Sequence, residues 1–281
     1  MTIKQLIQEK LTAHEVNLIN SLKEKNRTLY SLDYKLDLSF FTLTNGKVHH
    51  LLCWNEEELI GYAALINFDP EELEITQIVT PDRELLNKMN ETILMFAQRR
   101  KIKKILLITD RSDSFFTAYV NDTNRYNYIF SEYSMILAVD KFTPTPSDVV
   151  LEPAKKADAK MIASLETYES NEEVLSLDSD DLKKTFVLRR NKQIIASIRV
   201  ENEEHSYGIY GFVVRADFRG QGIGRKIMSQ LIQQLLEKRA ETVYLEVEST
   251  NDAAVHLYRS IGFEEQTLFD YYVYELSNKN V

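Results

Sequence analysis

The sequence predicts an α/β fold in two domains, each a sheet flanked by helices. Three observations carry this expectation. The chain has 281 residues, more than one ordinary domain needs. The order strand, helix, several strands, helix, strand, helix, strand is read in the second half and again, more loosely, in the first. Between the halves, two of the five prolines fall in residues 142–148, a stretch without hydrophobic period that reads as a linker. The expected domains are residues 1–146 and 147–281.

In the second half, residues 149–151 are expected to form a short strand and 158–168 a helix with Met161, Ile162 and Leu165 on one face. Residues 185–188 and 193–200 read as strands joined near Asn191, and 207–214 as a third. Residues 222–239 carry Ile223, Ile227, Met228, Leu231, Ile232, Leu235 and Leu236 at the period of an amphipathic helix. A strand over 243–247, a short helix over 252–260 and a strand over 270–276 complete the half. In the first half the same reasoning expects a helix over 3–23, strands over 48–54, 59–66 and 73–79, and a helix over 82–99. A strand over 105–109, a short helix over 112–120 and a last strand over 134–138 follow.

Composition removes several function classes. Hydrophobic residues make up 44% and charged residues 27%, so the chain can bury cores and disorder is not expected. The formal net charge is −9 and no basic stripe stands out, which argues against nucleic acid as a partner. Arg99, Arg100, Lys101, Lys103 and Lys104 read as a solvated face. An acidic surface favours encounter with cationic molecules. The single cysteine, Cys53, excludes an internal disulfide, fits a cytoplasmic location and reads as a buried structural thiol. No signal-peptide core opens the chain and no apolar run reaches membrane-spanning length, so no membrane partner is expected. His14, His49, His50, His205 and His256 show no metal-ligand spacing, and no metal is expected.

The chemistry-bearing segment is residues 209–224. Six of the eight glycines lie in the second half, and Gly220, Gly222 and Gly224 open the long amphipathic helix after a strand. Such a turn lets backbone N–H groups point inward, and the helix start adds unpaired N–H groups with partial positive charge. Together they suit a pyrophosphate. A dinucleotide fingerprint would need its last glycine one place later, and a Walker loop would need Lys then Ser or Thr where Arg225-Lys226 stands. A glycine-rich connection without a ligand is the alternative.

Arg219, Gly222 and Gly224 match the Arg/Gln-x-x-Gly-x-Gly/Ala signature of the GNAT acetyltransferase superfamily. Downstream, Leu245-Glu246-Val247, Asn251, Ala254, Leu257-Tyr258 and Gly262-Phe263 resemble its second signature in residue type and spacing. The resemblance is strong over residues 205–276, fair from 149 and faint over 47–138. It implies two GNAT-like domains, each with a mixed, mostly antiparallel sheet. It also implies acetyl-CoA as acetyl donor. Arg219, Gly220, Gln221, Gly222, Ile223 and Gly224 would cradle the pyrophosphate, and Phe212, Val213 and Val214 would pair with the pantetheine arm. The strands over 207–214 and 243–247 are expected to splay. Ala216 stands where the family often has proline, which bears on turn rigidity.

Tyr258 resembles the family's general acid; alternatively it is an aromatic packed on the short helix. Glu246 is the candidate general base, with Glu248 on the same strand face as its rival and a solvated role for both as the alternative. Asn251 reads locally as a helix N-cap, and the resemblance adds a contact to the coenzyme. The first half has no glycine at the matching place and carries Asp82 and Glu84 there, which would repel a pyrophosphate. Asp82 reads as a helix N-terminal carboxylate, and the half as a degenerate copy without coenzyme. The expected function is acetyl transfer to the primary amine of a small molecule or amino-acid-like acceptor. A protein N-terminus or lysine as acceptor, and a non-catalytic acetyl-CoA-binding module, are the rivals.

Overall fold

The computed structural model describes residues 3–36, 46–166, 177 and 179–276. The chain forms two compact units, Met1–Glu132 with Thr267–Val281, and Tyr133–Gln266. In chain order the elements are β1 (Ile3–Gln8), α1 (Ala13–Tyr30), β2 (Val48–Asn55), β3 (Glu58–Ile66), β4 (Glu72–Val79), α2 (Arg83–Arg99), β5 (Lys104–Asp110), α3 (Ser114–Thr123) and β6 (Asn127–Leu137). They continue with β7 (Leu151–Pro153), α4 (Ala159–Glu166), α5 (Ser179–Lys184), β8 (Thr185–Arg190), β9 (Gln193–Glu203) and β10 (Ser206–Val214). Then follow α6 (Ile223–Glu237), β11 (Thr242–Glu248), α7 (Asp252–Ile261) and β12 (Phe263–Glu275).

In the first unit β1, β2, β3 and β4 pair antiparallel in sequence, β4 and β5 pair parallel, and the last residues of β12 pair antiparallel with β5. In the second unit β7, β8, β9 and β10 pair antiparallel in sequence and β10 pairs parallel with β11. Each is thus a mixed, mostly antiparallel sheet with helices against it, as expected. The long helices cover the sheets with their periodic faces. Leu85, Leu86, Met89, Ile93 and Ala97 of α2 and Ile227, Met228, Leu231, Ile232 and Leu235 of α6 are buried in the respective cores. Asn191 and Lys192 have φ of +52° and +66°, the pair of left-handed residues that a tight two-residue hairpin between β8 and β9 requires.

Two expectations change. The helix expected over 3–23 is a strand, β1, followed by α1, which begins at Ala13. The capping box at Thr12 decides the start: its side chain accepts from the Glu15 N–H while the Glu15 carboxylate accepts from the Thr12 N–H at 2.7 Å. The six residues of β1 before it are too few for a stable helix and long enough to extend the sheet beside β2. The division between the units also falls earlier than residue 146. The proline-rich stretch is held by the second unit: Phe142 packs on its core, the Thr145 N–H donates to Ser229 Oγ at 3.1 Å, and Asp148 pairs with Lys226 at 2.6 Å. Residues from Thr267 onward return to the first unit. The helix expected over 158–168 is seen as α4, and its last two positions lie outside the described residues.

His50 on β2 is 0% exposed and its Nδ1 lies 2.9 Å from the Tyr62 hydroxyl. Burial, and then neighbouring His49, push its pKa from 6.5 to about 4, against an opposing effect of Glu15. The folded protein therefore keeps His50 neutral where the unfolded chain takes up a proton. Stability is present above pH 6.5 and is lost as pH falls towards 4, by roughly 3 kcal/mol from this group. Urea titrations at pH 7 and pH 4.5 should show that His50→Gln loses less stability across this window than the natural chain. Equal losses would refute the assignment.

Candidate functional site

The parallel ladder between β10 and β11 runs only from Ser206↔Thr242 to Ile209↔Leu245. Both strands continue past it, to Val214 and Glu248. A bulge in β10 accounts for the separation. Tyr210 opposes Arg199 of β9, and the next matched pair is Val213 with Ser197, so β10 carries an extra residue there. A bulge bends and twists its strand. Gly211 sits in it with φ of +52°, a conformation that favours glycine. Phe212, Val213 and Val214 follow on the stretch of β10 beyond the β11 ladder, half-buried. This is the splay the resemblance implies.

After β10 the chain makes one 3-10 turn, Ala216–Phe218, and reaches α6. Arg215 clamps Asp217 with two bonds at 2.7 and 2.8 Å and lies 4.7 Å over the Phe218 ring. Arg219 Nε donates to the Val214 carbonyl at 2.7 Å, and Gln221 donates to the Asp217 carbonyl at 3.2 Å. These bonds stiffen the turn although Ala216 is not proline. Gly220 and Gly222 have φ of +73° and +74°, and a β-carbon on either would meet nothing within 4 Å. Glycine is needed there for the backbone, and the space beyond it is open. Gly222 is the N-cap of α6 and supplies no side-chain acceptor to the first N–H groups of the helix. Ile223 is buried. Gly224 serves packing instead: its β-carbon would stand 3.3 Å from Leu257 and 3.6 Å from Phe212, where α6, α7 and β10 approach one another.

Asn251 caps α7, its side chain accepting from the Ala254 N–H at 3.1 Å. Tyr258 on α7 is 7% exposed, edge-on to Phe263, and burial pushes its phenol up to about 12. Along β11, Val243, Leu245 and Val247 enter the same core as Tyr258, so alternation turns Tyr244 and Glu246 to the opposite sheet face. The two candidate catalytic groups therefore belong to opposite faces of the sheet. Glu248 is exposed and accepts from the Thr250 hydroxyl at 2.5 Å. Tyr210 shares the face of Glu246. Its hydroxyl donates to Tyr244 at 3.3 Å, and burial, that hydrogen bond and the carboxylates of Glu246 and Glu201 raise its pKa above the ordinary phenol range. Gly208 makes room for this pair, since a β-carbon there would come within 2.9 Å of both rings. Sequence reasoning missed Tyr210, Glu166 and Arg199, which stand over the bulge. The available signal was Gly211, a glycine inside a strand pattern.

The first unit has the same parallel break: β4 and β5 pair from Glu72↔Lys104 to Thr76↔Ile108 and then both run on. Here the chain itself bonds to the strand ends. Thr76 Oγ1 donates to the Lys35 carbonyl at 2.9 Å, the Asp33 N–H donates to Asp110 at 2.9 Å, and buried Asn26 donates to the Val79 carbonyl at 3.0 Å. At the start of α2, Asp82 accepts from the N–H groups of Glu84 and Leu85 at 2.9 and 3.1 Å.

Residues 151–263 match the acetyltransferase (GNAT) family. The [ribosomal protein bS18]-alanine N-acetyltransferase of Escherichia coli K12 is 32% identical over 83 residues, which is 30% of this chain and 56% of that protein. The N-alpha-acetyltransferase RimI of Mycobacterium tuberculosis is 41% identical over 58 residues, 21% of this chain and 35% of that one. The matches thus span little more than half of these relatives' length, or less. Two solved structures share the fold over the whole chain. A tandem GNAT protein from the clavulanic acid biosynthesis pathway superposes with a TM-score of 0.73 at 11% identity, over 99% of this chain and 100% of that one. A GCN5-related N-acetyltransferase from Sphaerobacter thermophilus superposes with a TM-score of 0.70 at 13% identity, over 96% and 95%.

The turn geometry separates its glycines. Gly222→Ala should cost about 1–2 kcal/mol in urea unfolding, from the left-handed backbone alone. Gly224→Ala should cost less, because its one tight neighbour is a Leu257 methyl that can shift. The reverse order would refute the distinction.

Proposed function

We propose that the chain is a GNAT-type, acetyl-CoA-dependent N-acetyltransferase with one working unit, a reading supported by the family match over residues 151–263. The second unit binds the coenzyme and the first does not. The observation that carries the proposal is the contrast between two helix starts. α6 opens on an uncapped glycine facing open space, whereas α2 opens on a carboxylate that already occupies its N–H groups. The first kind receives a pyrophosphate; the second repels one. Chain atoms bonded to the ends of β4 and β5 support a silent first unit in the same way.

In this reading the backbone of residues 219–224 holds the pyrophosphate and the open edge of β10 at Phe212, Val213 and Val214 pairs with the pantetheine amides. Asn251 adds a contact beside its capping role. The donor supplies an acetyl thioester. An acceptor amine with an ordinary pKa near ~10.4 arrives protonated, and Glu246 takes that proton from its side of the sheet. Tyr258 stays protonated well past neutral pH and donates to the departing sulfur from the other side. Complete transfer to a thiolate of pKa ~8.5 is uphill by roughly 5 kcal/mol, so Tyr258 acts chiefly through a hydrogen bond that strengthens as charge builds. The acceptor is a primary amine of a small or amino-acid-like molecule. A peptide or protein α-amine is the second reading, favoured by the names of the bacterial relatives.

Calorimetric titration of acetyl-CoA into the protein should give one site per chain, abolished by Gly222→Glu. Two sites would overturn the silent first unit, and none would overturn the transferase. With an accepted amine, Tyr258→Phe should lower kcat about 10²-fold with acetyl-CoA affinity kept. Binding without turnover of any amine would favour a non-catalytic module.

A further inference from the structure

Charged side chains that this reaction leaves unused stand over the β10 bulge. A β-carbon on residue 211 would lie 2.5 Å from Glu166 Oε1 and 3.6 Å from Arg199 Nη1. Gly211 thus makes room for a carboxylate as well as a bend. Arg199 is directly opposite Tyr210 in the ladder and shares its sheet face. Tyr244 and Glu246 are on that face too. The charged group therefore occupies the side of the sheet from which the amine would arrive, beside the point where the β10–β11 ladder ends.

The group is loosely satisfied. Arg199 Nη1 stands 3.8 Å from Glu166 and 3.5 Å from Asp181. Elsewhere in the same unit Arg189 meets Asp158 at 2.6 Å and Arg215 meets Asp217 at 2.7 Å, so close pairing is within this fold's reach. Glu166 Oε1 and Arg199 Nε are both buried without a hydrogen-bond partner among the described residues. Ser197, two residues before Arg199 on the same strand face, is 1% exposed and its hydroxyl is also without one. Buried polar atoms in native proteins are nearly always paired, and three orphans on one face beside an opening call for a polar ligand. The Glu166 oxygen lacks a donor and belongs to a carboxylate, so the ligand that suits it is a cationic N–H donor. Burial, with Asp181 adding to it and Arg199 opposing it, holds the Glu166 carboxyl above its usual range, as befits a carboxylate short of a counter-ion.

We propose that Glu166 is a specificity-determining residue that receives the acceptor's ammonium group, with Arg199 positioning its carboxylate. The inference rests on the acetyltransferase reading and deepens it: the acceptor is a cationic amine, and amines that are neutral at physiological pH are poor acceptors. Glu246 then draws the proton from a substrate that Glu166 has already oriented.

The test uses the full chain, acetyl-CoA, and a panel of butylamine, lysine, alaninamide, an alanine-initiated peptide and aniline, read by thiol release. The expected result is that cationic members are acetylated in preference to aniline. Glu166→Gln, which keeps the shape and removes the charge, should raise KM for the best cationic acceptor at least tenfold. Its kcat should change less than threefold and its calorimetric affinity for acetyl-CoA less than twofold, and Glu166→Asp should recover part of the KM. An unchanged KM in Glu166→Gln with acetyl-CoA binding intact overturns the assignment and leaves the transferase reading standing. Loss of acetyl-CoA binding in that variant, or a fall in kcat at constant KM, also overturns it in favour of a structural or chemical role. A natural chain that binds no acetyl-CoA, or acetylates no member of the panel, overturns both readings.

Discussion

The second unit is organised around the place where the parallel ladder between β10 and β11 stops. Below Ile209 and Leu245 the strands are held by backbone bonds and by a core in which Val243, Leu245 and Ile209 pack against α6. Above, backbone groups of both strands face a gap. Leaving a backbone polar group dry costs about as much as a lost hydrogen bond, so such a gap persists only where water or a ligand reaches it. The bulge at Gly211 and the room made by Gly208 both serve this opening. The glycine turn, Asn251 and Tyr258 lie on elements that pack around it, and Glu246 and Glu166 belong to its other side.

The two units apply the same break to different ends. The first keeps the β4–β5 divergence but closes it with its own chain, through Asn26, Asp33 and Lys35. Filling a gap in this way removes unpaired groups and adds stability, at the loss of a place for anything else. Asp82 does the same at the start of α2, where its carboxylate takes up N–H groups of the first turn.

Parts of this are legible in the sequence for local reasons. α6 and α2 carry their burial in their period, the β8–β9 turn is marked by Asn191, and the turn before α6 by its glycines. Asp82 can be identified as a cap because capping depends on neighbours a few residues away. Other features depend on partners far along the chain. β1 is a strand because β2 offers it an edge, and its own pattern of Ile3, Leu6 and Ile7 reads equally well as a helix. Arg199, Glu166 and Tyr210 gather only because a bulge aligns β9, β10 and α4. The prolines at 144 and 146 suggest a loose linker, whereas bonds from Thr145 and Asp148 to α6 tie that stretch down.

The assignment of residues from Thr267 onward to the first unit has a consequence for biosynthesis. β5 pairs with Phe269–Glu275, and these residues leave the ribosome only after the entire second unit has been made. The first unit must therefore wait with one side of β5 uncovered, an aggregation-prone edge exposed for the time it takes to translate more than a hundred residues. The second unit, contiguous from Tyr133 to Gln266, can fold as soon as it emerges, so the half nearer the start of the chain is the one that finishes last.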